Sequence, residues 1–321
     1  MSNPTNPSNP PDRPPLVSVA LSVYNNDRFL RVAVESILNQ SFTNFEFLIV
    51  DDGSTDRSLK ILQEYAARDH RIRFTSRANR GIPKTRNEML AQAQGEFIAV
   101  MDGDDLALPD RLLHQVEFLQ QHPEVVCVGG NYDFIDEAGR VLMHHLTATT
   151  DAEIQQLALT GNTPINHPSA MMRRSAMLQV GGYDETLSTS SDLDLFLKLG
   201  EIGQLANLPE TVLGYRQHDR AISELKQLEQ TENRRKACER AWQRRGITGE
   251  FTATAAWRPF DRPSRHEFML RYGWHFFNQG ERYAAILYGW RSIQSLPLAL
   301  DGWKLLACAL IKPLPQPTLN P

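Results

Sequence analysis

The chain has 321 residues, of which 41% are hydrophobic and 22% are charged, as in an ordinary globular protein. The formal net charge of -4 excludes a strongly basic nucleic-acid-binding protein. No run of about 18 apolar residues occurs, so we expect no membrane-spanning helix. Cys127, Cys238 and Cys308 lie far apart without metal-ligand spacing, which indicates a reducing compartment and a cytoplasmic location.

Charge and composition change along the chain and predict three regions. Residues 1–15 are rich in Pro, Asn and Ser and are predicted to form a disordered lead. Residues 16–223 are predicted to form an α/β domain, and residues 224–321 a helical extension. From Leu225 onward the chain has 15 basic and 8 acidic residues, a net charge of +7. The preceding residues carry a net charge of -11. This asymmetry suggests that the two parts have different tasks.

Short apolar runs alternate with helical patterns in the first part of the chain. The predicted strands cover residues 16–23, 45–50, 71–75, 96–102 and 125–128. The predicted helices between them cover residues 28–40, about 55–68, 83–94 and 109–121. Further on, the pattern predicts a hairpin at 131–143, strands at 170–172 and 208–215, and a helix that begins near 190. This order predicts a mostly parallel sheet with right-handed crossovers and flanking helices.

Acidic residues follow the fourth predicted strand. Asp102, Asp104 and Asp105 come directly after a buried apolar run, at the edge of the sheet where open α/β folds bind ligands. Clustered carboxylates repel one another unless a cation joins them. Oxygen ligands favour a hard divalent ion, so the sequence predicts Mg²⁺ or Mn²⁺ at this edge.

Two other predicted strands end in polar residues at the same edge. Tyr24 and Asn25 follow the first strand, and Asp51 and Asp52 follow the second. Neither G-x-G-x-x-G nor G-x-x-x-x-G-K-[ST] occurs, so no glycine-rich loop is available to hold phosphates. If phosphates bind here, the sequence predicts that a metal ion holds them.

From residue 17 to about 223, the sequence closely resembles family 2 of the inverting glycosyltransferases, which have the GT-A fold. The resemblance includes the pair Asp102 and Asp104 of the D-x-D motif, and its order and spacing are specific. The motifs that carry it lie at residues 19–25, 36–40, 50–56, 86–87, 101–105, 182–185, 192–195, 208–210 and 215–218. The resemblance implies a nucleotide-sugar donor, usually a UDP-sugar, a divalent metal ion and a glycan or lipid-linked acceptor.

The resemblance also implies roles for residues of the nucleotide site. Tyr24 and Asn25 lie where the first loop packs against the base, and Asp51, followed by Asp52, matches a carboxylate that contacts base or ribose. Arg86 belongs to one of the matching motifs and is assigned to donor binding.

The remaining implied roles concern the metal and the acceptor. Asp104 is the expected direct metal ligand, with Asp102 beside it, and His218 lies where some members place a group near the diphosphate. Asp192 matches the general base that deprotonates the acceptor hydroxyl. A single base without a carboxylate nucleophile implies inversion of the anomeric centre.

Less specific interpretations remain for single residues and for the whole. Asp51 alone suits a turn, Asp192 alone a helix cap, and His218 alone a structural role. The alternative function is a nucleotide-sugar-binding module or another metal-dependent nucleotide enzyme. A phosphohydrolase of the D-x-D-x-[TV] type is disfavoured because the acidic pair follows the fourth strand rather than the first.

The basic tail also has two interpretations. It is predicted to be either a helical cap with a solvated basic face or a surface for peripheral contact with anionic lipid at the inner face of the membrane. Arg234, Arg235 and Lys236 carry the second interpretation on one long predicted helix.

Overall fold

The computed structural model describes residues 14–218, 227–253 and 261–313. Contacts divide the chain into two compact units, Met1–Thr254 and Ala255–Pro321. Nearly all of the predicted lead lies outside the described residues, and the boundary predicted at residue 223 stays a prediction. Within the described stretches, no helix is both long and apolar enough to cross a membrane.

The first unit contains the sheet and its helices. Its strands are β1 (Val17–Val23), β2 (Phe45–Asp51), β3 (Ile72–Ser76), β4 (Phe97–Asp102), β5 (Leu106–Ala107), β6 (Val125–Ile135), β7 (Val141–His145), β8 (Met171–Arg173) and β9 (Gln204–Arg216). Its helices are α1 (Leu30–Leu38), α2 (Ser58–Ala66), α3 (Ile82–Gln92), α4 (Arg111–Gln121), α5 (Asp151–Leu159), α6 (Arg174–Gln179), α7 (Ser191–Leu199) and α8 (Gln227–Arg245). A 3₁₀ turn covers His167–Ser169.

The strands form one sheet in the order β3-β2-β1-β4-β8-β6-β9-β5, with β7 paired to β6. Strands β3, β2, β1 and β4 are parallel. Strand β8 is antiparallel to both β4 and β6, and β9 runs parallel to β6. The predicted α/β class, with a mostly parallel sheet flanked by helices, is confirmed.

Apolar spacing explains why helices cover the two faces of the sheet. In α1 the buried residues Leu30, Ala33, Val34 and Ile37 recur every three or four positions and form one stripe. Fully burying a side chain such as Leu30 or Ile37 stabilises the fold by about 1.5–3 kcal/mol. One core cluster contains this stripe, and a second contains residues of α3, α6 and α7.

The structure differs from the predicted elements where tertiary pairing decides them. The fifth predicted strand and the first arm of the predicted hairpin are one continuous strand, β6. Strand β8 lies between β4 and β6, so consecutive parallel strands are not neighbours there. The last strand begins at Gln204, four residues before the predicted start, because it pairs with the full length of β6.

Helix α8 packs within the first unit. Ala237, Cys238 and Ala241 of α8 form a buried cluster with Leu193 and Leu197 of α7. Small residues let the two helices approach closely. The helix predicted to open the C-terminal extension therefore contributes to the core beneath α7.

The second unit contains α9 (Arg262–Asn278), α10 (Arg282–Ser295) and α11 (Leu300–Ile311). Helix α9 begins with a capping box, in which the Asp261 carboxylate accepts the Ser264 N–H at 2.7 Å and the Ser264 hydroxyl accepts the Asp261 N–H at 3.1 Å. The predicted helical extension is interrupted at Gly280, whose φ of 82° ends α9.

Candidate active site

Three strand ends meet at one edge of the sheet. In the register of the sheet, Ser22 of β1 pairs with Asp102 of β4, and Val23 pairs with Asp51 of β2. The two acidic strand ends therefore lie on either side of β1, one residue apart in register. This is the convergence that the sequence predicted.

The loop after β1 is held by the loop after β2. The Asn25 N–H donates to the Ser54 hydroxyl at 3.0 Å, and the Asn25 side-chain oxygen accepts the Thr55 N–H at 2.8 Å. These bonds support a left-handed backbone at Asn25, with φ of 52°. The neighbouring Tyr24 ring is 53% exposed and is available to a ligand.

Asp51 and Asp52 are adjacent but have different surroundings. Asp51 accepts the Ser54 N–H at 3.1 Å and the Ser76 hydroxyl at 2.7 Å. Asp52 accepts backbone N–H groups of Arg80 at 2.8 Å and Gly81 at 3.0 Å, and it also binds the Arg77 guanidinium. The Asp52 carboxylate is thus used to hold the loop that precedes α3.

Arg86 of α3 binds the end of β4. Its guanidinium donates to the Asp102 carboxylate at 3.1 Å. About a third of the Asp102 side-chain surface, 34%, remains open to solvent. Burial raises the pKa of Asp102, the Arg86 charge opposes this, and the charges of Asp104 and Asp192 raise the pKa further.

Asp104 is held by residues at the end of β9. The His218 ring nitrogen Nε2 lies 2.8 Å from the Asp104 carboxylate, and the His218 ring packs on Phe29 at 5.1 Å. Arg216 donates from Nε to the backbone carbonyl of Asp104 at 2.7 Å. The segment that follows β9 therefore closes onto the acidic turn that follows β4.

Asp105 is the buried member of the acidic group. Its Oδ1 accepts the Arg216 N–H at 2.8 Å, whereas its buried Oδ2 has no hydrogen-bond partner among the described residues. Burial raises the pKa of Asp105 well above its usual value, and the charges of Asp104 and Asp102 add to this effect.

Asp192 lies at the second position of α7 and is half-buried. Its charge is close enough to Asp102 to raise the pKa of that group. Helix α7 begins after Ser190, which has a left-handed backbone with φ of 58°. Helix α8 holds the approach to this turn, since Asn233 donates to the Thr189 hydroxyl at 2.9 Å.

A buried set of side chains supports Arg86 from behind. The Arg86 guanidinium lies over the Tyr183 ring at 5.6 Å, and the Tyr183 hydroxyl lies 2.9 Å from Nε2 of His167. Asn87 accepts the Tyr183 N–H and donates to the Tyr183 carbonyl, each at 2.9 Å. Burial lowers the pKa of His167 well below its usual value, and the charges of Arg86 and Arg111 act in the same direction.

Sequence reasoning did not assign roles to two buried arginines. Besides Asp104, Arg216 donates to the carbonyls of Asp136 at 2.8 Å and Glu137 at 3.1 Å. Arg111 donates to the Val100 carbonyl at 2.8 Å, and burial lowers the pKa of Arg111 to about 10. A single arginine in an otherwise apolar strand indicates a buried arginine that binds polar groups, and Arg216 at the end of β9 fits this pattern.

The donor atoms fit part of a hard-metal shell. Within the described ranges, no three His, Cys, Asp or Glu side chains are grouped to hold an ion by themselves. Asp104 and His218 nevertheless bring a carboxylate and an imidazole within 2.8 Å of each other. Two such ligands suit an ion that takes its other ligands from diphosphate and water.

Comparisons with known proteins identify the family of this chain. The family described as Glycosyl transferase family 2 matches residues 18–181. EpsE of Bacillus subtilis (strain 168) is 37% identical over 59% of this chain and 68% of its own. Chondroitin synthase of Escherichia coli is 31% identical over 73% of this chain, which spans only 34% of that enzyme.

Solved structures show the same fold at low sequence identity. The S. aureus TarS structure has a TM-score of 0.55 and 19% identity, covering 92% of this chain and 52% of that one. The mannosyltransferase PcManGT from Pyrobaculum calidifontis, in complex with GDP-Man and Mn²⁺, has a TM-score of 0.57 and 16% identity, covering 94% and 77%.

Proposed function

Because the chain belongs to glycosyl transferase family 2, we propose that it moves a sugar from a nucleotide-diphosphate donor to a hydroxyl of a glycan or lipid-linked acceptor. A UDP-sugar is the favoured donor. A TarS fragment is known in complex with UDP-GlcNAc, while PcManGT is known with GDP-Man, so both nucleotides belong in the test. Relatives named chondroitin synthase and hyaluronan synthase support a role in cell-surface polysaccharide or lipopolysaccharide synthesis.

One contact carries the proposal. The 2.8 Å approach of His218 to Asp104 joins the two halves of the sheet at the acidic edge. Asp102, which pairs with Arg86, belongs to the same acidic turn as Asp104. The charge of Asp192 raises the pKa of Asp102. A binding site for a diphosphate and a base for an incoming hydroxyl can therefore share one cleft.

The nucleotide would lie along the ends of β1 and β2. The exposed Tyr24 ring offers a flat surface for the base, and its loop is fixed by the two bonds of Asn25. Asp51, which is 1% exposed and accepts bonds from Ser54 and Ser76, is the carboxylate assigned to ribose or base. Asp52 acts indirectly in this scheme, by holding the loop that leads to Arg86.

Asp104 and His218, with Asp102 nearby, would hold Mg²⁺ or Mn²⁺. When bound, the ion stabilises the negative charge that develops on the leaving diphosphate. The Arg86 guanidinium balances the charge of Asp102 beside it, at 3.1 Å.

Asp192 would act as the general base. An acceptor oxygen attacks the anomeric carbon, the bond to the diphosphate oxygen breaks, and the hydroxyl proton moves to the Asp192 carboxylate. A positioned base of this kind contributes about 10²–10⁴-fold in rate. One displacement inverts the anomeric centre.

The test is a donor screen with Mn²⁺, in which UDP-, GDP- and dTDP-sugars are offered and nucleotide release is measured. The wild-type protein is compared with Asp104→Ala and Asp192→Ala, and with Asp110→Ala as an exposed control at the start of α4. Release that needs Asp104 and Asp192 but not Asp110 supports the proposal.

Binding of a nucleotide sugar without release, in the presence of varied acceptors, would favour a nucleotide-sugar-binding module instead. If the wild-type protein bound none of the donors, another metal-dependent nucleotide enzyme would be favoured. A cytoplasmic location with peripheral membrane contact belongs to the same proposal, because a lipid-linked acceptor is presented at a membrane surface.

A further inference from the structure

Helix α11 exposes an apolar face to water. Its inner face buries Gly302, Leu305 and Ala309 within the second unit. The large outward side chains are Leu300 (80% exposed), Trp303 (48%), Leu310 (58%) and Ile311 (82%). At 3.6 residues per turn, these four positions fall within an arc of about 120°.

The outward face of a helix on a globular protein is normally polar. In α11 the exposed arc contains one charged residue, Lys304, and the exposed Ala307. Leu298, two residues before the helix, is 96% exposed. A contiguous apolar arc of this kind marks an interaction surface rather than a solvated helix.

The charge near this face is weakly positive, since Lys304 and Lys312 outnumber the exposed Asp301. Lys304 lies within the arc, and the exposed Lys312 follows the end of the helix. Residues 255–321 contain eight basic and four acidic residues, a net of +4. An apolar stripe with lysines and a tryptophan is typical of helices that lie in the headgroup region of anionic membranes.

The size of the face limits its occupant. Helix α11 has 12 residues. It is therefore about 18 Å long, whereas a bilayer core is about 30 Å thick, so α11 is too short to cross. Its footprint of about 180 Å² is far below the about 800 Å² per partner of a stable protein interface. Binding to a lipid surface grows with the apolar area buried and with attraction to anionic headgroups, so a small apolar face with lysines can contribute to it.

We propose that the outward face of α11 binds the surface of an anionic lipid bilayer, with its axis parallel to the membrane. Leu300, Ile311 and Trp303 would enter the interfacial layer, and Lys304 would contact lipid phosphates. The Trp303 Nε1–H donates to the Pro297 carbonyl at 3.0 Å, so the ring can enter the layer with its polar atom already bonded.

Helix α8, whose basic residues carried the membrane interpretation in the sequence analysis, is less suited to this role. Four of its five arginines are engaged within the first unit, where Arg244 binds Glu201 at 2.9 Å and Arg245 binds Gln155 at 2.8 Å. Arg240 pairs with Asp184, and Arg235 lies over the Phe251 ring at 4.7 Å. The inference deepens the proposed function by naming the surface that meets a lipid-linked acceptor, but its test needs no sugar.

The test is cosedimentation of the full-length protein with vesicles. One set contains phosphatidylcholine alone, and the other an equimolar mixture with phosphatidylglycerol. Leu300→Ser/Ile311→Ser should weaken binding to the anionic vesicles about tenfold, because two apolar anchors are lost. Lys304→Glu should weaken it about tenfold on anionic vesicles while leaving binding to neutral vesicles unchanged.

Matched controls separate this surface from others. Leu146→Ser replaces a leucine that is 78% exposed in the first unit and should bind vesicles like wild type. Arg234→Glu/Arg235→Glu/Lys236→Glu tests α8 and should retain most of the binding. Circular dichroism verifies that each variant is folded.

Three results would overturn the inference. The wild-type protein could fail to sediment with anionic vesicles, the Leu300/Ile311 variant could bind as wild type does, or only the α8 variant could lose binding. Self-association in sedimentation velocity that disappears with Leu300→Ser/Ile311→Ser would assign the face to a second copy instead. Retained vesicle binding without any sugar transfer would leave the inference standing while the proposed function fails.

Discussion

The Arg216 side chain and the Asp104 main chain are joined directly, with Nε donating to the Asp104 carbonyl at 2.7 Å. The same guanidinium donates to the carbonyls of Asp136 and Glu137. One side chain therefore connects β9, the acidic turn after β4 and the turn after β6. The position of the candidate metal ligand depends on this connection.

Replacing Arg216 by lysine should weaken both the fold and the acidic turn. Lysine keeps the charge but lacks the planar set of donors, so at least one buried carbonyl loses its partner. We expect a loss of about 1–3 kcal/mol in the free energy of unfolding, measured by urea denaturation, and a higher Mn²⁺ requirement for nucleotide release. Arg57→Lys is the control, since its side chain is 82% exposed. Equal midpoints for the two variants would contradict the assignment.

Asp51 and Asp52 should separate into ligand-binding and structural roles. Asp52→Asn leaves the donors of Arg77, Arg80 and Gly81 facing a neutral amide, so the free energy of unfolding should fall by about 1–3 kcal/mol. Donor affinity, measured by calorimetry where the variant is folded, should change little. Asp51→Asn should instead weaken donor binding. If Asp52→Asn were as stable as wild type yet bound donor poorly, Asp52 would be a direct ligand.

His167 should make stability depend on pH. Burial lowers the pKa of His167 in the folded state, whereas in the unfolded chain this histidine is protonated below its ordinary pKa of about 6.5. The contribution of neutral His167 to the free energy of unfolding is therefore complete above about pH 6.5. It is lost as the pH falls toward the lowered pKa of the folded state. Between pH 6.5 and 5.5, wild type should lose about 1 kcal/mol more than His167→Gln. Denaturation midpoints at several pH values measure this, and parallel curves for both proteins would disprove it.

Asn87 should control the loop that contains Tyr183. Asn87→Ala removes both hydrogen bonds to the Tyr183 backbone, and we expect a loss of about 2 kcal/mol in the free energy of unfolding. Nucleotide release should slow as well, because Tyr183 supports Arg86. Asn87→Asp keeps the acceptor for the Tyr183 N–H and should lie between the two. A wild-type rate in Asn87→Ala would show that the loop is not needed for catalysis.

The sequence predicted the first half of the sheet well because its signals are local. Apolar runs such as residues 45–50 and the residues Asp51 and Asp102 that follow them indicate buried strands that end at one edge. Strand β8 has only three residues, Met171–Arg173, and its position between β4 and β6 depends on pairing across the chain. No local pattern contains that information.

The candidate site also has a part that could be predicted from the sequence and a part that could not. The acidic turn and Asp192 could be named from the resemblance, and Asp104 is indeed in contact with His218. The support from Arg216 and the anchoring role of Asp52 depend on which backbone groups lie nearby in the folded protein. Such partners are set by loop conformation, which the residue types alone do not determine.

The late position of β8 in the chain has a consequence for synthesis on the ribosome. Strands β1 to β4 are complete once residue 102 has emerged, but the edge of β4 pairs with Met171–Arg173. Until that segment arrives, β4 presents unpaired N–H and C=O groups beside an apolar surface, which is an aggregation hazard. The nascent chain is therefore expected to be most prone to aggregation between these two points, and folding of the acidic edge is coupled to the completion of the second half of the sheet.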